Sequence, residues 1–402
     1  MNESEIQLLD ACKFGKIEDV KQLLVINPQM NLNCQNSYSR TPFWIACKNG
    51  HFEIVKLLLG DERVDVNKPN GMGSSPFCAA CQKGKLKIVK LLLNDNRVDR
   101  NRGDSLGRTS FWMICQEGNF EIVKYLLENG EDIDVNKVNH EGSTPFCIAC
   151  ENGHIEIVKL LLNDERVDLN QPNDSGRTPF FVACWNRHIE TVKLLLKDKR
   201  IIINKENNKG RTGFYVACGN GYHDIVELLL KDERVDITKV DNHGQTSLFI
   251  ASHHGYTEIV KSLLNDKRVD INQVNNAGET PLFTASQFGC IEVIKILLND
   301  HRIIPNHADK DGTTPFWIAC NEGKVEAVRE FLNDQRVDIN RAENKRNQTP
   351  FWIACVRGRI EVVKLLLKDQ RVQVNLGDDD GQTPFYISCL YGRTEVVKLL
   401  LN

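Results

Sequence analysis

The chain repeats itself at a fixed interval. A hydroxyl residue opens a short apolar segment at Thr41, Ser75, Thr109, Thr144, Thr178, Thr212, Thr246, Thr280, Thr314, Thr349 and Thr383, spaced by 34 residues except at two places, where the spacing is 35. A weaker copy runs from Ile6 to Leu24, so twelve units cover essentially all 402 residues. A period of this length implies that each unit is one supersecondary element that buries its apolar face only against its neighbours. It also removes the need for the separate cores that a chain this long otherwise demands. No Pro/Gly/Ser-rich linker, block of like charge or low-complexity tract marks a seam.

Each unit reads as two short helices and a turn. The opening hydroxyl is placed to accept from a free backbone N–H of a first helical turn. Proline follows it in eight of the eleven full units, at the position where a missing N–H costs nothing. A short apolar helix such as Phe43-Trp44-Ile45-Ala46-Cys47 stops at a glycine such as Gly50, which tolerates the left-handed conformation. A second helix follows at once, Glu53-Ile54-Val55-Lys56-Leu57-Leu58-Leu59, apolar on one broad face with Glu53 and Lys56 on the other. A loop then leads to an Asx-Gly turn such as Asp241-Asn242-His243-Gly244.

At this register the sequence resembles the ankyrin-repeat family. The residues that carry the resemblance are Gly278-Glu279-Thr280-Pro281-Leu282-Phe283-Thr284-Ala285 and Gly153-His154-Ile155-Glu156-Ile157-Val158-Lys159-Leu160-Leu161-Leu162, recurring over the whole chain. The resemblance implies an all-α solenoid of helix-helix-finger units stacked into a curved superhelix. Residues 1–38 are expected to form a degenerate N-terminal capping repeat. Residues 39–402 are expected to form eleven repeats, the last lacking its finger and a polar cap. Two departures are systematic. The family's His in the first helix is replaced by Trp, Phe, Tyr or Cys, which implies a different packing between neighbours. The connecting loop is one residue longer and carries Asp-x-Arg in nine of eleven connections, expected to set alternating charges one repeat apart.

Other patterns dissolve into the repeat. Ten of the fourteen cysteines share one slot, from Cys12 and Cys47 to Cys389, where a small side chain lets helices approach and free Cys behaves as a small hydrophobe. Cys78-Ala79-Ala80-Cys81 and Cys147-Ile148-Ala149-Cys150 lie inside helices, without the second pair and turn geometry that a zinc site requires. Asp378-Asp379-Asp380-Gly381 has Ile387 where a calcium loop needs its bidentate Glu. The second-helix lysines mostly have a Glu three residues back and read as a solvated face. No phosphate-cradling glycine loop, His-Glu-x-x-His motif or Ser/His/Asp set stands outside the repeat, so no catalysis, cofactor or metal is expected.

The formal charge of −3, from 51 basic and 54 acidic residues, argues against a nucleic-acid partner. No apolar run approaches the roughly 20 residues that span a bilayer, and Met1-Asn2-Glu3-Ser4-Glu5 has no apolar core. A cytoplasmic protein without membrane insertion is the expectation.

The resemblance implies a protein-protein interaction scaffold or adaptor, its partner lying on the concave side against the finger tips and the end of each first helix. The alternatives are a targeting arm of a larger enzyme, channel or ubiquitin-ligase adaptor, or a host-interaction effector of a parasite or symbiont. Binding information must lie where units differ. Trp185 lies in such a variable slot, unlike the other four tryptophans, and its helix ends at Arg187-His188 where every other unit has Gly. The same slots hold His253-His254 two units on and Gln287-Phe288 in the next. Tyr38, Met72 and Leu106 are apolar tips of three consecutive fingers. These nine residues, His188 included, are the expected partner-binding positions. At the far end Ile387, Val396, Leu399, Leu400 and Leu401 are all apolar where Asp10, Asp19 and Gln22 make the first unit polar. An uncapped end of this kind is expected to continue into further chain or to stack on a second copy.

Overall fold

The computed structural model describes residues 1–401. Among them are twenty-four helices and no strand, running in twelve pairs, numbered here as repeats 1 to 12. By internal contacts the chain falls into two units, residues 1–208 and 209–402.

In the first unit, repeat 2 shows how local chemistry makes each element. Thr41 adopts an extended backbone and its hydroxyl accepts from the Trp44 N–H at 3.1 Å, with Pro42 in the first helical turn. The helix Pro42–Asn49 ends at Gly50, whose φ of 88° admits the left-handed closure. The second helix, Phe52–Leu59, buries Ile54, Val55, Leu58 and Leu59. The hydroxyl cap recurs at all the opening residues of the first unit, and repeat 1 instead uses an Asn2–Glu5 capping box. Its Asp10, Asp19 and Gln22 are exposed. The core is a continuous row of fully buried residues at one register, Phe43, Phe77, Phe111 and Phe146 among them, with the cysteines Cys47, Cys81, Cys115 and Cys150.

Within this unit neighbouring repeats are fastened to each other at up to three levels. At the base of the fingers, the Trp44 and Trp112 indole N–H groups donate to the carbonyls of Ser74 and Ser143, both at 2.9 Å. This is the altered packing that the missing family His implies. Between the fingers a single backbone bond links each tip to the next: Gly71 N donates to Tyr38 O, Ser105 N to Met72 O and His140 N to Leu106 O, at 2.9 to 3.1 Å. In the connecting loops a buttress of asparagines spans the gap. Asn67 Nδ2 donates to Arg97 O while its Oδ1 accepts from Asp99 N, and Asn33, Asn101, Asn136 and Asn170 do the same one repeat apart.

The Asp-x-Arg loops differ from expectation. Asp and Arg close on each other within one loop, as in Arg97 Nε and Nη2 to Asp95 at 3.0 and 2.7 Å. A fork two residues long satisfies both oxygens without reaching across repeats. The guanidinium then donates backwards to the last carbonyls of the preceding second helix, Arg97 to Leu59 O and Arg200 to Leu162 O, both at 2.6 Å. The Arg therefore closes a helix end that has no intrahelical partner.

The second unit repeats these devices with its own residues. Trp317 and Trp352 donate to Gln348 O and Gln382 O. Asn272, Asn306 and Asn340 continue the buttress. In repeat 12 Ile387 and Val396 are buried against what precedes them, contrary to their expected place on an open end. The exposed apolar groups there are Phe385, Tyr386, Leu390, Tyr391 and Leu401. The second-helix charges pair along the helix in both units, for example Lys159–Glu156 and Lys261–Glu258.

Candidate interaction surface

With the shared slots committed to the stack, the residues that differ can be placed one by one. Trp185 closes the helix Pro179–Trp185 and is half-buried. Its indole stacks on Phe181 with centroids 6.2 Å apart and planes 16° from parallel, and the Arg177 guanidinium lies 5.0 Å from its ring. One face is thus spent on its own repeat, and the remainder is open.

The ring of His188 is engaged inside the stack. Its Nε2 lies 2.8 Å from the Glu151 carbonyl of the preceding repeat, as His154 Nε2 lies 2.9 Å from Gln116 O. The slot after the helix-ending glycine closes the previous first helix in several other repeats, with Arg359 and Arg393 doing so by Nε. That geometry commits one ring nitrogen of His188 to the stack. Arg187, in place of glycine, takes the same left-handed conformation with φ 60°.

In the second unit four of the expected residues come together. His253 and Phe288 rings are 4.1 Å apart, His253 and His254 4.7 Å, and Tyr256 joins at 5.6 Å from His254. Gln287 is half-buried beside Phe288, which is 50% exposed. His253 Nδ1 is 3.1 Å from Thr284 Oγ1, which fixes the ring across two repeats. Burial, and for His253 also the neighbouring His254, hold both imidazoles below the ordinary histidine range. They are therefore neutral at neutral pH, and the patch behaves there as a polar-edged aromatic surface.

Tyr38, Met72 and Leu106 stand on the linked tips of fingers in the first unit, all three exposed. They form one apolar edge. The aromatic cluster at 253–288 belongs to the second unit.

Nothing in this surface resembles a reaction centre. Among the described residues no group of three or more His, Cys, Asp or Glu side chains is placed to hold a metal ion. All fourteen cysteines carry free thiols, twelve of them buried. Burial pushes those twelve thiols up, Cys34 to about 11 and Cys147 and Cys355 to about 12. They are packing groups, held far from the thiolate form that makes a nucleophile. No helix among the described residues is long and apolar enough to cross a membrane.

A family model described as ankyrin repeats (3 copies) matches the chain in overlapping stretches, residues 8–104, 60–137, 111–207, 199–275, 267–343 and 336–402. The chain belongs to the ankyrin-repeat family. Ankyrin repeats generally serve as protein-protein interaction modules, and the family is typically non-catalytic. No curated protein matches the chain.

The asparagine buttress and the Arg closure of second helices were missed by reading the sequence. Their signal was available, since Asn67, Asn101, Asn136 and Asn170 recur at the repeat period. Recurrence identifies a structural slot but not the bond it makes.

Proposed function

We propose that this ankyrin-repeat chain is a cytoplasmic scaffold that binds a protein partner along the face made by its fingers and first helices. Residues 1–38 act in this reading as the cap and the following repeats as the binding array. The observation that carries it is the cluster of His253, His254, Gln287 and Phe288, with His254 and Phe288 exposed and the other two half-buried, at slots where other repeats vary. Aromatic side chains already fixed by their neighbours lose little entropy on docking, which is why they dominate interface energies. Trp185 supplies a second anchor of the same kind. The apolar area that Phe288 and Trp185 still keep in water is what a partner explains.

A photo-crosslinking amino acid tests this directly, placed in turn at Phe288 and at Lys90 on a second helix. The reading expects covalent capture of one defined protein from position 288 and none from position 90. Equal capture from both positions, or capture only from position 90, contradicts it.

A further inference from the structure

Repeats 2 and 3 carry positive charge that the protein itself does not neutralise. In repeat 4, Arg108 forks onto Asp104, with Nε and Nη2 at 2.9 and 2.7 Å from Oδ2. Arg40 occupies the same slot in repeat 2, but the residue matching Asp104 is Asn36. Asn36 spends its one acceptor on the N–H groups of Tyr38 and Arg40. The Arg40 guanidinium therefore finds no carboxylate, and its Nε is buried without an acceptor. It rests instead between two rings, 4.9 Å from Tyr38 and 4.9 Å from Trp44.

A second cation stands on the same indole. Lys48 Nζ lies 5.5 Å from the Trp44 ring. Burial first, and then the like charges of Arg40 and Lys83, hold Lys48 below the usual lysine range. Lys83 is exposed. Three cations crowd one another beside two exposed apolar finger tips, Tyr38 and Met72, with no ion pair among them. The basic character then stops, because the next first helix offers Glu117, which accepts weakly from Gln82 Nε2 at 3.5 Å.

We propose that the surface of Arg40, Lys48 and Lys83, edged by Tyr38 and Met72, receives an acidic peptide segment of a protein partner in which carboxylates alternate with apolar side chains. This rests on the protein-binding reading above and names the partner chemistry for the first unit. Carboxylates relieve the repulsion among the three cations, and a planar guanidinium already stacked on aromatic rings presents its donors as a fork. The apolar side chains complete the edge at Tyr38 and Met72. A nucleic acid fits less well, since its affinity grows with the number of phosphates neutralised, and the strip holds three cations before the sign turns at Glu117.

The test is fluorescence anisotropy on the full chain with a labelled peptide of repeating Glu-Glu-Leu, a Lys-Lys-Leu counterpart and an oligo-dT strand. Binding of the acidic peptide alone is expected, weakened by salt and at least about tenfold weaker in Lys48→Glu/Lys83→Glu. Because Lys83 is exposed, Lys83→Glu alone keeps the fold and carries the same comparison if the double variant fails to fold. Equal binding of the two peptides, no binding of the acidic one, no loss in the variants, or tighter binding of oligo-dT overturns the proposal. Crosslinking from position 288 lies in the other unit, so its outcome reports the broader reading separately.

Discussion

At the scale of single residues, the same side-chain type has different fates according to slot. Trp112 is core and its N–H bonds the next repeat, whereas Trp185 keeps part of its ring in water. His254 is exposed, while His188 is tied to a carbonyl. The sequence showed which residues break the repeat, but not that the slot of His188 is itself a repeating one, because its occupants (His, Lys, Asn, Tyr, Cys, Arg) share only an ability to reach backwards. The cysteines give a prediction at this scale. A buried thiol with its pKa raised keeps its proton where the unfolded chain, near the ordinary 9.0, has lost it. Between pH 9 and about 11–12 the unfolded state therefore binds fewer protons, and stability falls as pH rises. Native labelling with a thiol reagent at neutral pH should modify Cys389 and Cys290 first, the two that are not buried. Rapid reaction of all fourteen in the folded protein, or a melting temperature indifferent to that alkaline window, contradicts the assignment of the thiols to the core.

At the scale of elements, caps and terminators were legible because they rest on local rules. A hydroxyl at the N-cap, proline in the first turn and glycine at the left-handed end can be read without knowing the neighbours. The links between elements were less legible. Asp-x-Arg announces a pair, but only the folded loop shows the Arg also reaching the preceding helix end. Repeat 12 shows the same division. Phe351 and Trp352 of repeat 11 are 1% and 5% exposed, while Phe385 and Tyr386 at the matching slots of repeat 12 are 40% and 54% exposed. Elsewhere in the unit another repeat covers that face.

At the scale of the whole molecule, the architecture follows from one repeated bargain. No helix pair buries its apolar face alone, and within each unit each neighbour added extends that unit's core. That is why the fold could be read from a 34-residue period, and why the surface could not. The shared residues identify themselves by recurrence, but a binding residue is known only as a departure, and departures such as Arg187 also arise inside the stack. The basic strip at Arg40, Lys48 and Lys83 illustrates the limit. Its charge was visible in the sequence, but that Arg40 lacks the carboxylate given to Arg108 depends on which finger atoms face which.

The central claim is that recurring residues build the stack while the departures bind, and one paired measurement addresses it. Partner capture and thermal unfolding are compared for wild type, His254→Ala/Phe288→Ala and Trp112→Ala. The first variant should lose capture with its unfolding nearly unchanged. The second removes a buried indole and its inter-repeat hydrogen bond, and should lose about 3–5 kcal/mol of stability. Full capture by His254→Ala/Phe288→Ala, or a loss of stability in it equal to that of Trp112→Ala, would contradict the account.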